Sequence, residues 1–297
     1  MQQSIQLVSV GRHTRLGDVL ERAVEDVSFE TVRSEDFPDG NAEKRRLLFA
    51  ISGDGTGAND ELSALTCRIL SGGCSFGGSV CGAVADGERG GALHADVLKL
   101  LLALNGAGCA IANGPCVEAS RNLKNLSYQS GDEKIFPFEL YGMQARALAR
   151  RLMAFEAEEE GAKRLRFVST LESEGAGRDW REALGRELAK HGGAFAEDGG
   201  PADATLLLCE NTSNIPGETT LRMLDGFDAC ALSCIVASPR FGADFYCMQI
   251  LERACLQGAC SLAPYGFAVC DGATAAEALA VDAMFENAGR AIRKLLQ

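Results

Sequence analysis

The sequence is short of the residues from which metal clusters, membrane spans and nucleic-acid surfaces are made. It has three histidines, His13, His94 and His191, which are far apart in the chain, and its 12 cysteines form no Cys-x-x-Cys pair. No apolar run approaches the roughly 18 residues that cross a bilayer. Asp and Glu outnumber Lys and Arg by 41 to 29, which disfavours binding to phosphate backbones. We therefore expect no metal site, no membrane partner and no nucleic-acid partner.

A secretion signal is also lacking. The chain starts Met1-Gln2-Gln3-Ser4, without a basic segment followed by an apolar core. We therefore expect a cytoplasmic protein whose cysteines stay reduced. Many of the cysteines fall in apolar runs, where a free cysteine behaves as a small hydrophobic residue. These are Cys109, Cys209, Cys234, Cys260 and Cys270.

Proline is scarce, with 7 residues, whereas glycine is abundant, with 34. This balance is typical of α/β chains, in which tight turns join strands to helices. The sequence contains neither a Walker loop nor a His-Glu-x-x-His motif. We therefore expect any chemistry to come from a bound cofactor that the protein holds and orients.

The stretch from Arg45 to Ala119 has an order of elements that occurs again in the second half of the chain. Short apolar runs predict strands, and helical spacing of apolar residues predicts helices between them. The first copy has strands at 47–51, 79–85 and 108–112, with helices at 60–70 and 93–104. The second copy has strands at 205–209, 229–237 and 258–263, with helices at 218–226 and 245–256. This self-similarity predicts the duplication of a whole domain.

The flanking segments complete the expected topology. Further strands are predicted at 4–10, 28–32, 165–170 and 265–270, and further helices at 16–27, 138–160, 180–190 and 274–296. We expect a loop at 171–179 and a strand end at Gly114-Pro115. Strands that alternate with helices predict βαβ units and a parallel sheet. The division is a first domain at 1–134, a connecting helix at 135–162 and a second domain at 163–297.

Ligands of open parallel sheets bind beyond the carboxyl ends of the strands. In the first half this rule selects three loops, at 11–15, 52–59 and 86–91. The first loop, Gly11-Arg12-His13-Thr14, precedes a predicted helix and offers the amides, hydroxyl and cation that a phosphate needs. The alternative interpretation is an ordinary turn between a strand and a helix.

The order of elements and the spacing of these loops resemble the flavodoxin-like fold, and within it the NADPH-dependent FMN reductase family. The resemblance implies two tandem α/β domains, each with three α/β/α layers. It also implies FMN as cofactor, NAD(P)H as electron donor, and an FMN-dependent oxidoreductase activity on a small molecule. The first loop, with Ser9, Gly11, Arg12, His13 and Thr14, would hold the phosphate. The loops after the next strands, with Gly55, Asn59, Asp86, Gly87, Gly90 and Gly91, would line the ring.

The motifs depart from the family pattern in two loops. The first loop does not keep the order Gly-Ser-x-Arg, and the second loop lacks the usual proline and aromatic residue. In the second half, Glu172 and Glu174 stand where a phosphate would lie, and their charge would repel it. We therefore expect the second half to be a degenerate copy.

Two other functions remain open. Gly53-x-Gly55-x-x-Ala58 follows a strand and opens a helix, and Asp86 ends the next strand, which together have the form of a dinucleotide fingerprint. An NAD(P)-dependent dehydrogenase would use these residues. Alternatively, the protein is a non-catalytic interaction protein whose loops have lost their ligands. By analogy with flavodoxin-like proteins, a homodimer is plausible in each case.

Overall fold

The computed structural model describes residues 4–11, 27–37, 42–53, 59–87, 90–120, 129–130, 133–134, 137–155, 164–171, 174–211, 213–238 and 243–271. The chain divides into two compact units, Met1–Ala157 and Glu158–Gln297. The helices that the sequence predicts at 16–27 and 274–296 fall almost wholly outside the described residues.

The first unit alternates strands and helices. Its main strands are β1 (Ile5–Val10), β2 (Phe29–Arg33), β3 (Arg46–Ser52), β4 (Val80–Gly87) and β5 (Ala110–Ser120). Its α-helices are α1 (Asp60–Leu70), α2 (Gly90–Gly106) and α3 (Pro137–Ala154). Two short strands, β6 (Gln129–Ser130) and β7 (Glu133–Lys134), form a separate antiparallel pair.

The five main strands of the first unit form a parallel sheet in the order β2-β1-β3-β4-β5. This is the strand order of the flavodoxin-like fold. The chain leaves β1 for β2 on one side and then crosses to β3 on the other side. The α/β fold class that the sequence predicts is therefore confirmed.

Helices cover both faces of this sheet. On one face α3 packs through Leu148 and Leu152 on a buried cluster that includes Leu48 and Val84. Successive strand residues point to opposite faces, so the neighbours of Val84 along β4 point to the other face, where α2 contacts β4 and β5. Arg46 at the start of β3 donates to the carbonyl oxygens of Leu152 at 2.9 Å and Phe155 at 3.0 Å. A cation at these last carbonyls stabilises the C-terminus of α3.

The second unit has the same alternation. Its strands are β8 (Arg164–Ser169), β9 (Ala194–Phe195), β10 (Ala204–Glu210), β11 (Ala231–Ser238) and β12 (Ser261–Asp271). Its helices are α4 (Glu174–Lys190), α5 (Glu218–Asp225) and α6 (Ala243–Leu251), and α6 continues into a π-helical turn at Glu252–Leu256.

The sheet of the second unit is also parallel, and β8 lies between β9 and β10. Its order, β9-β8-β10-β11-β12, is again the flavodoxin-like order. One face is covered by α4, whose Trp180, Leu184 and Leu188 pack on a buried cluster with Leu206 and Leu208. The two units therefore repeat one topology.

An irregularity of the last strand is shared by the two units. On β4, Cys81 pairs with Ile111 and Ala83 with Cys116, so one residue of β4 faces four residues of β5. In the second unit Leu232 pairs with Leu262 and Cys234 with Phe267, which is the same irregularity. A residue with positive φ lies at the matching place in each, Gly114 at 56° and Tyr265 at 53°. A shared bulge of this kind supports the duplication of one domain.

Several predicted boundaries are wrong, and the bulge explains two of them. The strand expected to end at Gly114-Pro115 continues to Ser120, because the ladder resumes after the bulge. For the same reason the separate strands predicted at 258–263 and 265–270 are one strand, β12. The loop predicted at 171–179 contains the first turns of α4, which starts at Glu174, an acidic residue that suits a helix N-terminus. The helix predicted at 138–160 ends at Ala154.

Membrane insertion finds no support in the helices described. None of them combines the length and the apolar character that crossing a bilayer requires.

Candidate functional site

The carboxyl ends of β1 and β3 form the switch point of the first unit. Connections leave the sheet there in opposite directions, since β1 leads to β2 and β3 leads to α1 and β4. In flavodoxin-like sheets this crevice is where ligands bind. Gly11 follows β1, Ser52 ends β3 and Gly53 comes next, so these residues line the crevice.

Gly11 is held in a position that only glycine accepts. Its φ is +92°, and a Cβ there would lie 2.6 Å from the carbonyl oxygen of Ser52 and 2.7 Å from Nδ2 of Asn59. The hydroxyl oxygen of Ser52 would be 2.9 Å away. The ends of β1 and β3 therefore approach so closely that no side chain fits between them.

Asn59 fixes the start of α1 to the end of β3. It is the N-cap of α1, and its Oδ1 accepts from the backbone N–H of Leu62 at 2.8 Å. Its Nδ2 donates to the carbonyl oxygen of Ser52 at 2.6 Å. One buried side chain therefore sets both the helix N-terminus and the rim of the crevice, although the sequence assigns it only to ligand binding.

Glu61 places a carboxylate at the end of β1. Its Oε2 accepts from the backbone N–H of Gly11 at 2.8 Å and from the hydroxyl of Ser34 at 3.2 Å. Two donors on different segments therefore converge on one anionic oxygen. The sequence gives no reason to single out Glu61 or Ser34, because both lie outside the three loops predicted to bind a ligand.

The other predicted site residues fall into three groups: some lie outside the described residues, one lies within β1, and the rest lie at the end of β4 and the start of α2. Arg12, His13, Thr14 and Gly55 lie outside the described residues. Ser9 is within β1, two residues before the crevice, and pairs with Arg33 and Ala50. Asp86 and Gly87 end β4, Gly90 and Gly91 begin α2, and the N–H of Gly53 donates to the carbonyl oxygen of Asp86 at 2.8 Å. The structure therefore brings Gly11, Gly53, Asn59 and Asp86 to one edge of the sheet.

The donors described at this edge suit an anionic oxygen, which is the chemistry that an FMN phosphate would need. Gly11 and Ser34 provide such donors, and Ser52 Oγ is buried without a hydrogen-bond partner in the part of the chain that the structure describes. The carboxylate of Glu61 occupies the Gly11 donor, so a phosphate would have to displace it. Binding of a phosphate here thus depends on movement of Glu61.

A second polar cluster lies beside the end of β4. His94 is near the start of α2, and Cys116 and Glu118 are near the end of β5. Nδ1 of His94 contacts Oε1 of Glu118, and Sγ of Cys116 lies 3.7 Å from the same oxygen. One nitrogen, one sulfur and one oxygen atom of this group lie within 4.8 Å of one another. Burial, together with the charge of Glu118, raises the pKa of the Cys116 thiol, so this thiol by itself is a poor nucleophile.

The sequence contains only a weak signal for this cluster. The sequence predicts a strand end at Gly114-Pro115, which leaves Cys116 and Glu118 outside any predicted strand. The available signal is the alternation Cys-Val-Glu at 116–118, which places the first and third residues on the same face. His94 lies just after the glycine loop 86–91 that the sequence does predict.

A Gly-x-Ser-x-Gly sequence is present at 73–77, around Ser75. Nucleophilic serines with this motif sit on a sharp turn that leads from a strand into a helix. Ser75 lies between α1 and β4, so the order is reversed, and its carbonyl oxygen accepts from the N–H of Ala42 at 2.8 Å. The motif therefore belongs to the loop that connects α1 to β4 and does not form a nucleophile turn.

At the corresponding edge of the second unit, an asparagine side chain lies where the first unit has a glycine. The N–H of Asn211 donates to the carbonyl oxygen of Ala237 at 2.9 Å, just as Gly53 donates to Asp86 in the first unit. The Asn211 side chain is buried; it accepts from the N–H of Asn214 at 2.7 Å and donates to Ser238 Oγ at 3.2 Å. A buried asparagine thus occupies the place that a glycine has in the first unit.

The second unit also contains a close pair of thiols at the opposite edge of its sheet. Cys230 and Cys260 directly precede β11 and β12, and their Sγ atoms are 3.4 Å apart. The hydrogen bond from Cys260 lowers the pKa of Cys230 to about 7, with a smaller contribution from Thr205. The pKa of Cys260 is raised because it is the donor and is partly buried.

We expect Cys230 to be alkylated by iodoacetamide much faster at pH 7 than the buried cysteines of this unit. With a pKa of about 7, half of this thiol is thiolate at that pH. Cys260→Ala removes the donor, so the pKa of Cys230 rises. The alkylation rate of Cys230 at pH 7 then falls roughly five- to tenfold, because the smaller thiolate fraction outweighs the higher nucleophilicity of the remaining thiolate. Mass spectrometry of the tryptic peptides measures these rates, with the exposed Cys67 as internal reference. An unchanged Cys230 rate in Cys260→Ala would contradict the proposed hydrogen bond.

Comparison with known proteins identifies no family. No family model matches the chain, and no curated protein matches it either. A search of solved structures finds the Escherichia coli RcsC C-terminus, which contains a linker region and a phosphoreceiver domain. The match has 12% sequence identity and a TM-score of 0.22, and it covers 97% of this chain and 94% of that one. A likeness this low supports no inference about function.

Proposed function

We propose that the first unit is a flavin-binding oxidoreductase unit, similar to the NADPH-dependent FMN reductases, with its ligand at the switch point between β1 and β3. The observation that carries the proposal is the convergence of the Gly11 amide and the Ser34 hydroxyl on one anionic oxygen at that crevice. In this proposal the FMN phosphate takes the place of the Glu61 carboxylate. The loops after β3 and β4 then border the ring.

The residues of the chain have separate roles in this proposal. Gly11 keeps the crevice narrow and offers its N–H, and Asn59 holds the rim of the crevice to α1. Asp86 and Gly87 end the strand next to the crevice and border the ring. The bound flavin would supply hydride transfer from NAD(P)H to a small-molecule acceptor.

The second unit takes a supporting role in this proposal. At its matching edge the buried side chain of Asn211 is hydrogen-bonded to Asn214 and Ser238. An interaction or dimerisation surface is the role that remains for such a copy, and the homodimer expected from the sequence stays a prediction. The dinucleotide fingerprint at 53–58 is the competing interpretation of the same edge, and the following experiment separates the two.

The experiment is a titration of the full chain with FMN, followed by flavin fluorescence, for the wild type and two charge variants. Glu61→Gln removes the carboxylate that competes at Gly11, so we expect FMN to bind about tenfold more tightly, a gain of about 1.4 kcal/mol. Asp60→Asn is the matched control, because it removes one negative charge from the same exposed helix turn. It is expected to change the affinity less than twofold.

Three outcomes would contradict the proposal. Equal gains in FMN affinity in both variants would mean that the affinity depends only on the overall charge and that Gly11 does not contact the phosphate. Failure of FMN to bind to either variant would remove FMN as the ligand. Tight binding of NAD(P)H with FMN inert would favour the dinucleotide interpretation.

A further inference from the structure

We propose that the first unit binds one zinc ion through His94, Cys116 and Glu118, with one coordination position left open. These three side chains supply an imidazole nitrogen, a thiol sulfur and a carboxylate oxygen, with one such atom of each within 4.8 Å of the others. Nitrogen, sulfur and oxygen ligands of this kind are those that zinc takes in proteins. The inference concerns a different cluster from the crevice between β1 and β3, and it stands independently of the proposed flavin.

The distances suit a single ion. Zinc bonds of about 2.0 to 2.3 Å in a tetrahedral arrangement put two ligands roughly 3.3 to 3.7 Å apart. Sγ of Cys116 and Oε1 of Glu118 are 3.7 Å apart. His94 and Glu118 are in direct contact, and a cation can replace the proton that such a pair shares. Binding of the ion would therefore require the His94 and Glu118 side chains to move apart, whereas Cys116 and Glu118 already have a suitable separation.

The exposure of the cluster indicates an open type of site. The side chains of His94 and Glu118 are 26% and 32% exposed, so water reaches them. Structural zinc sites are closed by four protein ligands, whereas catalytic sites have three protein ligands and a water molecule. Three protein ligands, two of them reached by water, fit the second type, in which a water or a substrate donor atom takes the fourth position.

The bulge in β5 is what aims two of the ligands. Ala110 and Ala112, before the bulge, and Val117, after it, all belong to the core beneath α3. If the same residues alternated strictly from Ala112 onwards, without a bulge, Cys116 and Glu118 would lie on the face of Ala112 and point into that apolar core. The bulge shifts the alternation by one, so they point towards α2 and meet His94. Strand bulges are known to re-aim side chains next to functional sites.

The second unit provides a natural comparison. It has the same bulge, yet Phe267 and Val269 stand at the positions that match Cys116 and Glu118. The bulge therefore belongs to the fold, whereas the ligand side chains are particular to the first unit. The bulge alone would therefore not create a metal site, because the second unit has the bulge but not the ligand side chains.

The test is a Co²⁺ titration of the full chain in a Cys230→Ser/Cys260→Ser background, because that thiol pair could itself bind metal. We expect one equivalent of Co²⁺ to bind, with a thiolate-to-cobalt charge-transfer band, and to be displaced by Zn²⁺. Cys116→Ser should abolish the band, and His94→Gln should weaken binding at least roughly 100-fold. Cys67→Ser, which removes an exposed cysteine elsewhere, should leave the titration unchanged.

The proposal would be overturned by any of three results. These are no cobalt uptake at millimolar concentration, a charge-transfer band that persists in Cys116→Ser, or undiminished affinity in His94→Gln. Far-ultraviolet circular dichroism shows whether each variant is folded. Because the His94 side chain is partly exposed, its variant remains informative if Cys116→Ser fails to fold.

Discussion

Gly11→Ala is expected to lower the free energy of unfolding by about 3 kcal/mol, more than most single substitutions do. A positive φ of +92° costs a non-glycine residue about 1 kcal/mol. The added Cβ would also lie 2.6 Å from the backbone oxygen of Ser52, and a backbone atom cannot move aside cheaply. Such overpacking adds roughly 2 kcal/mol. Urea denaturation measures the sum.

Gly72→Ala separates the two contributions. Gly72 has nearly the same φ, +88°, but nothing lies within 4 Å of the Cβ that alanine would add. We therefore expect Gly72→Ala to cost only about 1 kcal/mol, which is the conformational part. If both variants lost the same stability, the ends of β1 and β3 would not be packed as closely as described. The description of a narrow crevice, on which the proposed site depends, would then be contradicted.

Leu148→Ala is expected to cost about 3 kcal/mol, because Leu148 is fully buried between α3 and the sheet of the first unit. Its Cδ1 would lie 2.8 Å from a Cβ added at Gly82. The second substitution, Gly82→Ala, is therefore expected to destabilise by overpacking, by about 1 to 2 kcal/mol. In the double variant the new methyl enters the space that Leu148 leaves.

The double-mutant cycle is the informative measurement. We expect the double variant to be more stable than the sum of the single effects predicts, by about 1 to 2 kcal/mol. The pair Gly142→Ala and Leu148→Ala is the matched control, since an added methyl at Gly142 meets nothing within 4 Å. That pair should be additive. Additivity in the Gly82 pair would mean that α3 does not pack on β4.

The sequence predicts the fold well where burial on both faces makes the pattern unambiguous. The apolar runs that become β3 and β10 are strands, and the helix predicted at 60–70 is α1 within the same bounds. Neighbouring elements and their order follow from such local patterns. Strand order is not local, and the sequence indicates it only through the resemblance to the flavodoxin-like fold, whose strand order both units have.

Failures occur where tertiary contacts override a local signal. Gly114-Pro115 normally ends a strand, but here the pair sits in a bulge, and Arg151 from α3 donates to the carbonyl oxygen of Gly114 at 3.2 Å. A contact with a helix that comes later in the chain cannot be inferred from the dipeptide. The sequence does not predict the cluster of His94, Cys116 and Glu118 for the same reason, since its strand residues come after the bulge.

The candidate site likewise has features that the sequence predicts and features that it does not. Its loops were predicted because the carboxyl ends of parallel strands share one edge, which is a general property of the fold. The carboxylate of Glu61 was not predicted, because it reaches Gly11 from 50 residues further along the chain. Asn59 was predicted for a different role from the capping role that the structure gives it.

The most direct test of the central claim is an amide NMR spectrum of the full chain during titration with FMN. The proposed site predicts shifts that saturate and are confined to the carboxyl edge of the first unit, above all at Gly11, Ser52, Gly53 and Asn59. Asn211 and the rest of the matching edge in the second unit should not respond. Shifts centred on the second unit, or none at saturating FMN, would contradict a flavin site between β1 and β3.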